Sequence, residues 1–112
     1  MHTIDDFITI WEKIITEASQ NKGDGKCIER ARELLKFDFT RILYVIHRNY
    51  DFHTMNNAPS LQHKKNHHIG RWHATIEKDG NKIYDPDHGK FEWKTDYLKN
   101  VYHNHQNLQF LD

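Results

Sequence analysis

In the first twenty residues, Ile4, Phe7, Ile8, Trp11, Ile14, Ile15 and Ala18 recur at intervals of three and four. That spacing gathers apolar side chains on one face of a helix. Thr3 with Asp6 three places later has the form of a capping box, so the helix is expected over residues 3–20. Gln20 to Gly25 then reads as a loop, with two glycines around Asp24. A second amphipathic helix is expected over 26–36. It would turn Ile28, Ala31, Leu34 and Leu35 inward, with Asp24 as N-cap and Cys27 in the first turn. Residues 39–48 (FTRILYVIHR) fit either period, and their density of β-branched and aromatic residues favours a strand.

Further along, the period changes. Residues 49–68 are polar and read as a long surface loop. Residues 71–77 (RWHATIE) and 81–85 (NKIYD) alternate and flank Lys78-Asp79-Gly80, a three-residue hairpin loop ending on glycine. Pro86 ends the second strand, Thr95 stands where it would cap a short helix over 95–102, and 107–111 (NLQFL) reads as a closing strand. The expected class is α+β, a single domain over residues 1–112 with N-terminal helices packed on a small antiparallel sheet.

Composition narrows the function classes. Sixteen basic and sixteen acidic residues give zero net charge, which argues against nucleic acid or an anionic membrane as partner. Ten histidines make the chain increasingly cationic below about pH 6.5. The single cysteine excludes an internal disulfide and fits a reducing, cytoplasmic location. No apolar run approaches the ~20 residues of a membrane span. Asp5 and Asp6 stand where a signal peptide would be basic. Delivery as a toxin or effector cut from a larger protein stays open.

The hairpin register carries the chemistry. If Lys78, Asp79 and Gly80 are the loop, Glu77 pairs with Asn81, and His73 falls opposite Asp85 on the same face. Opposed Cβ atoms lie about 4.5–5.5 Å apart, within reach of an imidazole–carboxylate hydrogen bond. A two-residue loop would instead put the pair on opposite faces. Cys27, at a helix start, meets unpaired backbone amides that favour a thiolate and can bind an oxyanion. A thiol, an imidazole and a carboxylate in this order are the parts of an acyl-transfer triad.

These residues resemble the papain-like cysteine hydrolases, a group spanning papain-type and bacteriocin-processing peptidases, transglutaminases and deamidating toxins. The resemblance rests on Cys27 opening a helix, W-H-A-T-I at 72–76 and Y-D-P at 84–86, and is nearest to the bacteriocin-processing and transglutaminase branches. It implies a reduced papain-like domain with Cys27 as nucleophile, His73 as general base and Asp85 as orienting carboxylate. It also implies Gln20 or Asn21 as the oxyanion donor, since Asn21 lies six residues before the cysteine, where papain has its glutamine. G-D-G-K-C-I-E-R-A at 23–31 is similar to the nucleophile loop of ovarian-tumour-type deubiquitinases, which would bring Asp24 into the catalytic loop. Together these stretches span Gly23–Leu35 and Trp72–Pro86; residues 37–70 match no pattern. The implied substrate is a protein or peptide, and no cofactor or metal is expected.

Blander readings stand beside these. A lone cysteine near a helix start is commonly a small buried hydrophobe, and a facing His–Asp pair can be an ordinary polar contact. His67, His68 and Trp72 are candidates for a substrate rim, while His63, His67 and His68 with Lys64 and Lys65 read as a solvated loop or as a positively charged rim for an acidic or phosphate-bearing substrate. His103 and His105 could chelate from a strand but lack a partner pair at ligand spacing. Two rivals differ in class. One is a small RNA-cleaving toxin-like nuclease using His73 with Lys64, Lys65 or Arg71; the other is a non-catalytic protein-binding inhibitor module.

Overall fold

The computed structural model describes residues 4–50 and 59–112. Among these described residues, three helices and one five-stranded antiparallel sheet make an α+β arrangement. Helix α1 (Ile4–Gln20) and helix α2 (Cys27–Glu33) precede strand β1 (Thr40–His47). Strands β2 (Trp72–Lys78), β3 (Lys82–Asp85) and β4 (Lys90–Trp93) follow, then helix α3 (Lys94–Val101), a 3-10 turn at His105–Asn107, and strand β5 (Leu108–Leu111). The sheet order is β4-β3-β2-β1-β5. No helix among the described residues is long and apolar enough to cross a membrane.

Helix α1 buries Phe7, Trp11, Ile14 and Ala18, the stripe its spacing predicts. Ile4 and Ile8, which share that spacing, stay exposed. The stripe meets Ala31 and Leu34 from α2 and its exit, Phe37, and Ala74 and Ile76 from β2. Phe7 and Trp11 each set a ring edge-on to Tyr84 at 4.9 Å. Full burial of a side chain of this size contributes roughly 1.5–3 kcal/mol, so this cluster is what fastens both N-terminal helices to the sheet. A second cluster covers the rest of the sheet with Leu43, Val45, Leu61, Ile83, Tyr97, Val101, Tyr102 and Leu108. Strand β1 therefore has apolar neighbours on both faces, and its alternation is filled in to a continuous apolar run.

Several local expectations are corrected. Helix α2 is shorter than 26–36 and starts after Lys26, not Asp24. Asp24 instead accepts the Lys26 N–H and pairs with the Arg30 guanidinium. Helix α3 begins one residue before Thr95, with Trp93 in the cap position and no side-chain cap. The short edge strand β4, four residues and mostly exposed, was not anticipated. The hairpin pairs Lys78 with Lys82 and Glu77 with Ile83, so the loop is Asp79-Gly80-Asn81. Asp79 (φ 56°) takes the left-handed region alongside Gly80 (φ 75°), which moves the loop one residue on. The loop still has three residues, so His73 and Asp85 keep a common face. They are diagonal rather than opposed, because the register carries Asp85 opposite Thr75. Thr3, the expected first cap, and residues 51–58 of the expected long loop lie outside the described residues.

Candidate active site

The site is assembled where the start of α2 meets the start of β2 and the end of β3. The sequence D-P-D-H-G at 85–89 makes a tight turn between β3 and β4. Asp85 closes it through its own backbone, accepting the N–H groups of His88 (3.0 Å) and Gly89 (3.1 Å). Its side chain takes the Asp87 N–H at 2.9 Å, a local carboxylate-to-backbone bond of the kind that favours aspartate at turn starts.

Asp85 is fully buried and accepts three further side-chain hydrogen bonds. His73 Nε2 donates to Oδ1 at 2.8 Å, His63 Nε2 to Oδ2 at 3.0 Å, and the Tyr97 hydroxyl to Oδ2 at 2.6 Å. Tyr102 backs Tyr97, hydroxyl to hydroxyl, at 3.2 Å. Burial alone would push the Asp85 carboxyl up; the His73 charge and the histidine hydrogen bonds hold it well below the usual carboxylate range. The reciprocal effect appears at His73. Burial pulls the imidazole down, but the Asp85 charge and hydrogen bond, the Cys27 contact and the Asp87 charge raise it to about 10. His73 is thus an imidazolium at neutral pH. The same pressure acts on Tyr97 and Tyr102, whose burial and proximity to Asp85 keep both phenols protonated.

His73 Nε2 is committed to Asp85, and Nδ1 is left shielded from solvent with no partner in hydrogen-bond geometry. Buried nitrogens of this kind are rare and call for an explanation. Nδ1 is the nitrogen left for the Cys27 thiol, which lies close enough for the two groups to shift one another. Burial pushes the half-buried thiol up. The close approach of the His73 imidazole and its charge, aided by the Ala74 backbone N–H, outweigh it against the opposing Asp87 charge, and Cys27 ends below the ordinary thiol value.

A cleft of about 210 Å³ opens over this pair, with Gly25, Cys27, Arg30, Gly70, His73 and Asp87 among its walls. Asp87 Oδ2 lies 3.5 Å from His73 Nε2, and Asn66 holds the other oxygen at 2.7 Å. Asp24, His68 and Trp72 line the same cleft. His67 faces a separate hollow beside Gln62 and His103. Gln20 and Asn21 are not among the residues lining the cleft, and the Asn21 amide donates to the Glu17 carbonyl at the end of α1. The structure therefore brings Cys27, His73 and Asp85 together and leaves the two oxyanion candidates elsewhere.

Sequence reasoning missed His63, Asn66, Asp87 and Tyr97. His63, expected in a solvated loop or a charged rim, is instead buried, because residues 61–64 run beside the end of α3, with Lys64 N–H on the Val101 carbonyl at 2.8 Å. The signals available were slight: Leu61 two places before His63, and an acidic residue on each side of Pro86.

His63, His73 and Asp85 also lie close enough together to suggest a metal centre. The donor chemistry does not fit one. His63 Nδ1 accepts the N–H groups of Lys65 and Asn66, both at 3.1 Å, so the ring proton sits on Nε2. A metal on Nε2 would require an imidazolate with both nitrogens stripped, whereas metal-bound histidines donate from the second nitrogen. The trio is a hydrogen-bonded network.

No family model, curated protein or solved structure matches the chain.

Proposed function

We propose that the protein is a cysteine-dependent acyl-transfer enzyme acting on a protein or peptide, with Cys27 as nucleophile, His73 as acid–base and Asp85 as the orienting carboxylate. The observation that carries this reading is the unpartnered, shielded Nδ1 of His73, beside a thiol held below its ordinary value and under an open cleft. A structural histidine would satisfy both nitrogens. A structural cysteine in apolar surroundings would be pushed up. The order of parts, a helix-borne thiol, a strand-borne histidine and a carboxylate on the next strand, supports reading the domain as a reduced papain-like fold.

In this mechanism the Cys27 sulfur attacks the acyl carbon, the C–S bond forms, and the carbonyl pair moves to oxygen. When that pair returns, the C–N bond breaks and the His73 Nδ1 proton goes to the departing amine. Water or a second amine then attacks the thioester, gives its proton to Nδ1, and the C–S bond breaks. Peptide or isopeptide cleavage, side-chain deamidation and transamidation share these steps and differ in the leaving and entering groups. Asp85 holds the ring so that Nδ1 faces sulfur throughout.

The test is the pH dependence of iodoacetamide labelling, read by mass spectrometry. Cys27 is the chain's single cysteine, so every adduct reports on it. The wild type should label well below the ordinary thiol range near pH 8.5, and His73→Ala should move the midpoint up towards it. A thiol inert at neutral pH, or one indifferent to His73 in a folded variant, would sink the triad.

A further inference from the structure

Asp85 is held from two sides, and only one of them belongs to the proposed triad. His73 and the Asp87 N–H occupy Oδ1; His63 and Tyr97 occupy Oδ2. We propose that His63 is a positioning residue for the acyl-transfer site, clamping the outer oxygen of Asp85 so that its inner oxygen keeps His73 aligned on Cys27. The inference rests on the cysteine-enzyme reading given above.

The geometry makes His63 a donor of fixed polarity. Lys65 and Asn66 aim their backbone N–H groups at Nδ1 from the tight turn that follows it, which leaves Nε2 as the only position for the ring proton. That proton points at Asp85 Oδ2. The ring is hemmed in: it is buried, its backbone is bridged to Tyr102, and it lies edge-on to the Tyr102 ring at 5.2 Å between centroids. It also lies edge-on to His73 at 5.9 Å, so the two imidazoles bracket one carboxylate.

The same turn acts on the other acid. Asn66 donates its side-chain N–H to Asp87 Oδ1, and its Oδ1 accepts the His68 N–H at 3.0 Å. One six-residue stretch, 63–68, thus fixes both carboxylates that face His73 and contributes His68 to the cleft wall. Among the described residues, the groups that bear on the His73–Cys27 pair are Asp85 at the end of β3 and Asp87 just beyond it, His63, Asn66 and His68 from this stretch, Asp24 and Arg30 across the cleft, and Tyr97 and Tyr102 from α3 and its exit. Asp85 must stay ionised in a fully buried place for His73 to keep its charge. Each donor on it lowers the cost of that anion.

Two substitutions separate the two ends of the imidazole. In His63→Asn the side-chain oxygen stands near the place of Nδ1 and can still cap the turn, but nothing donates to Asp85. In His63→Gln the amide nitrogen stands near the place of Nε2 and can still donate to Asp85, but the turn loses its acceptor. A merely structural histidine would make both variants less stable and leave the labelling midpoint where it is. The positioning role predicts that His63→Asn labels about tenfold slower at pH 6, the scale on which one orienting hydrogen bond behind a working group acts. Its midpoint should move up, and His63→Gln should restore most of the rate. A measurement on the unaltered protein stands beside these in case a variant does not fold: long-range ¹H–¹⁵N correlation should place the His63 ring proton on Nε2. A proton on Nδ1, or a folded His63→Asn with the wild-type labelling profile, overturns the proposal. If wild-type labelling does not depend on His73, the enzyme reading itself has failed, and the role of His63 falls with it.

Discussion

Replacing Asp85 by asparagine keeps the shape of the side chain and removes its charge. Four donors converge on that carboxylate: His73 Nε2, His63 Nε2, the Tyr97 hydroxyl and the Asp87 N–H. The amide oxygen can serve the pair on one side. Its NH₂ group must then face His63 and Tyr97. Tyr97 can turn its hydrogen towards the Tyr102 hydroxyl and accept instead. His63 cannot, because its other nitrogen already accepts two backbone N–H groups. The variant therefore leaves one buried donor–donor conflict and strips the His73 imidazolium of its nearer counter-ion, with Asp87 left at 3.5 Å.

Two routes give the size of the loss. Breaking a buried charged pair by removing one partner costs about 3–5 kcal/mol. Independently, the rise of His73 from 6.5 to about 10 corresponds to roughly 5 kcal/mol at 1.36 kcal/mol per decade. Burial opposes that rise while Cys27 and Asp87 add to it, so it sets the order of magnitude of the Asp85 share, the same as the first route gives. Against a domain stability of about 5–15 kcal/mol, the variant should be severely weakened but able to fold at low temperature. Urea unfolding followed by tryptophan fluorescence measures this. The same protein, labelled with iodoacetamide between pH 5 and 10, should show the Cys27 midpoint moving up, because a neutral His73 no longer holds the thiolate. A loss below about 1 kcal/mol, typical of an exposed pair, together with an unchanged labelling profile, would refute the buried-network reasoning.

Two further outcomes follow from the same structure. Stability should peak near pH 6.5 and decline on both sides. The contribution of His73, whose folded value of about 10 exceeds its unfolded 6.5, is complete below 6.5 and lost as pH rises towards 10, and Cys27, held below its unfolded value, offsets part of that loss; His88, held below 6.5 by burial, withdraws stability as pH falls below 6.5, and Asp85 does so far lower still. Thermal melts across pH 5–10 should show the alkaline decline in the wild type and a flatter profile in His73→Ala. In the cleft wall, Gly23→Ala should cost more than Gly25→Ala. Both sit at positive φ (85° and 74°) and lose about 1–2 kcal/mol for the left-handed backbone. Only at Gly23 would the added carbon also fall 2.9 Å from the His68 ring, so equal losses in urea unfolding would show that the two walls do not press on one another.

How far the sequence disclosed this arrangement depended on whether a residue's environment was set locally. Helix α1 was legible because only one of its faces is covered, and the covered stripe, Phe7 to Ala18, repeats at helical spacing. Strand β1 was ambiguous for the opposite reason. It lies between β2 and β5 with apolar neighbours on both faces, so neither period survives in its apolar run. The β2–β3 hairpin was legible in parity and not in register. Parity depends on an odd loop length, which the glycine signalled. Register depends on which residue takes the left-handed region first, and Asp79 is one of the few non-glycine types able to do so. The displacement by two positions leaves His73 and Asp85 on one face and lengthens the path between them to a diagonal, which an imidazole can still span.

The same distinction explains why the second half of the site was invisible. His73 and Asp85 belong to adjacent strands of one hairpin, so counting along the chain brings them together. His63 reaches Asp85 across 22 residues, and does so from irregular backbone whose position is set by pairing with Tyr102. Nothing in the run H-K-K-N-H-H separates the first histidine, which is buried, from the last two, which are exposed. What separates them is long-range: the bond from Leu61 N–H to the Gly70 carbonyl closes the segment, and the bond from Lys64 N–H to the Val101 carbonyl ties it to α3. Once those are made, His63 is buried, and its Nε2 meets the outer oxygen of Asp85, which it shares with the Tyr97 hydroxyl. The polarity of the site follows from backbone geometry two residues further on, because the Lys65 and Asn66 amides decide which nitrogen of His63 carries the proton. Three residues legible in the sequence thus share one buried carboxylate network with a fourth, whose orientation only the folded chain can set.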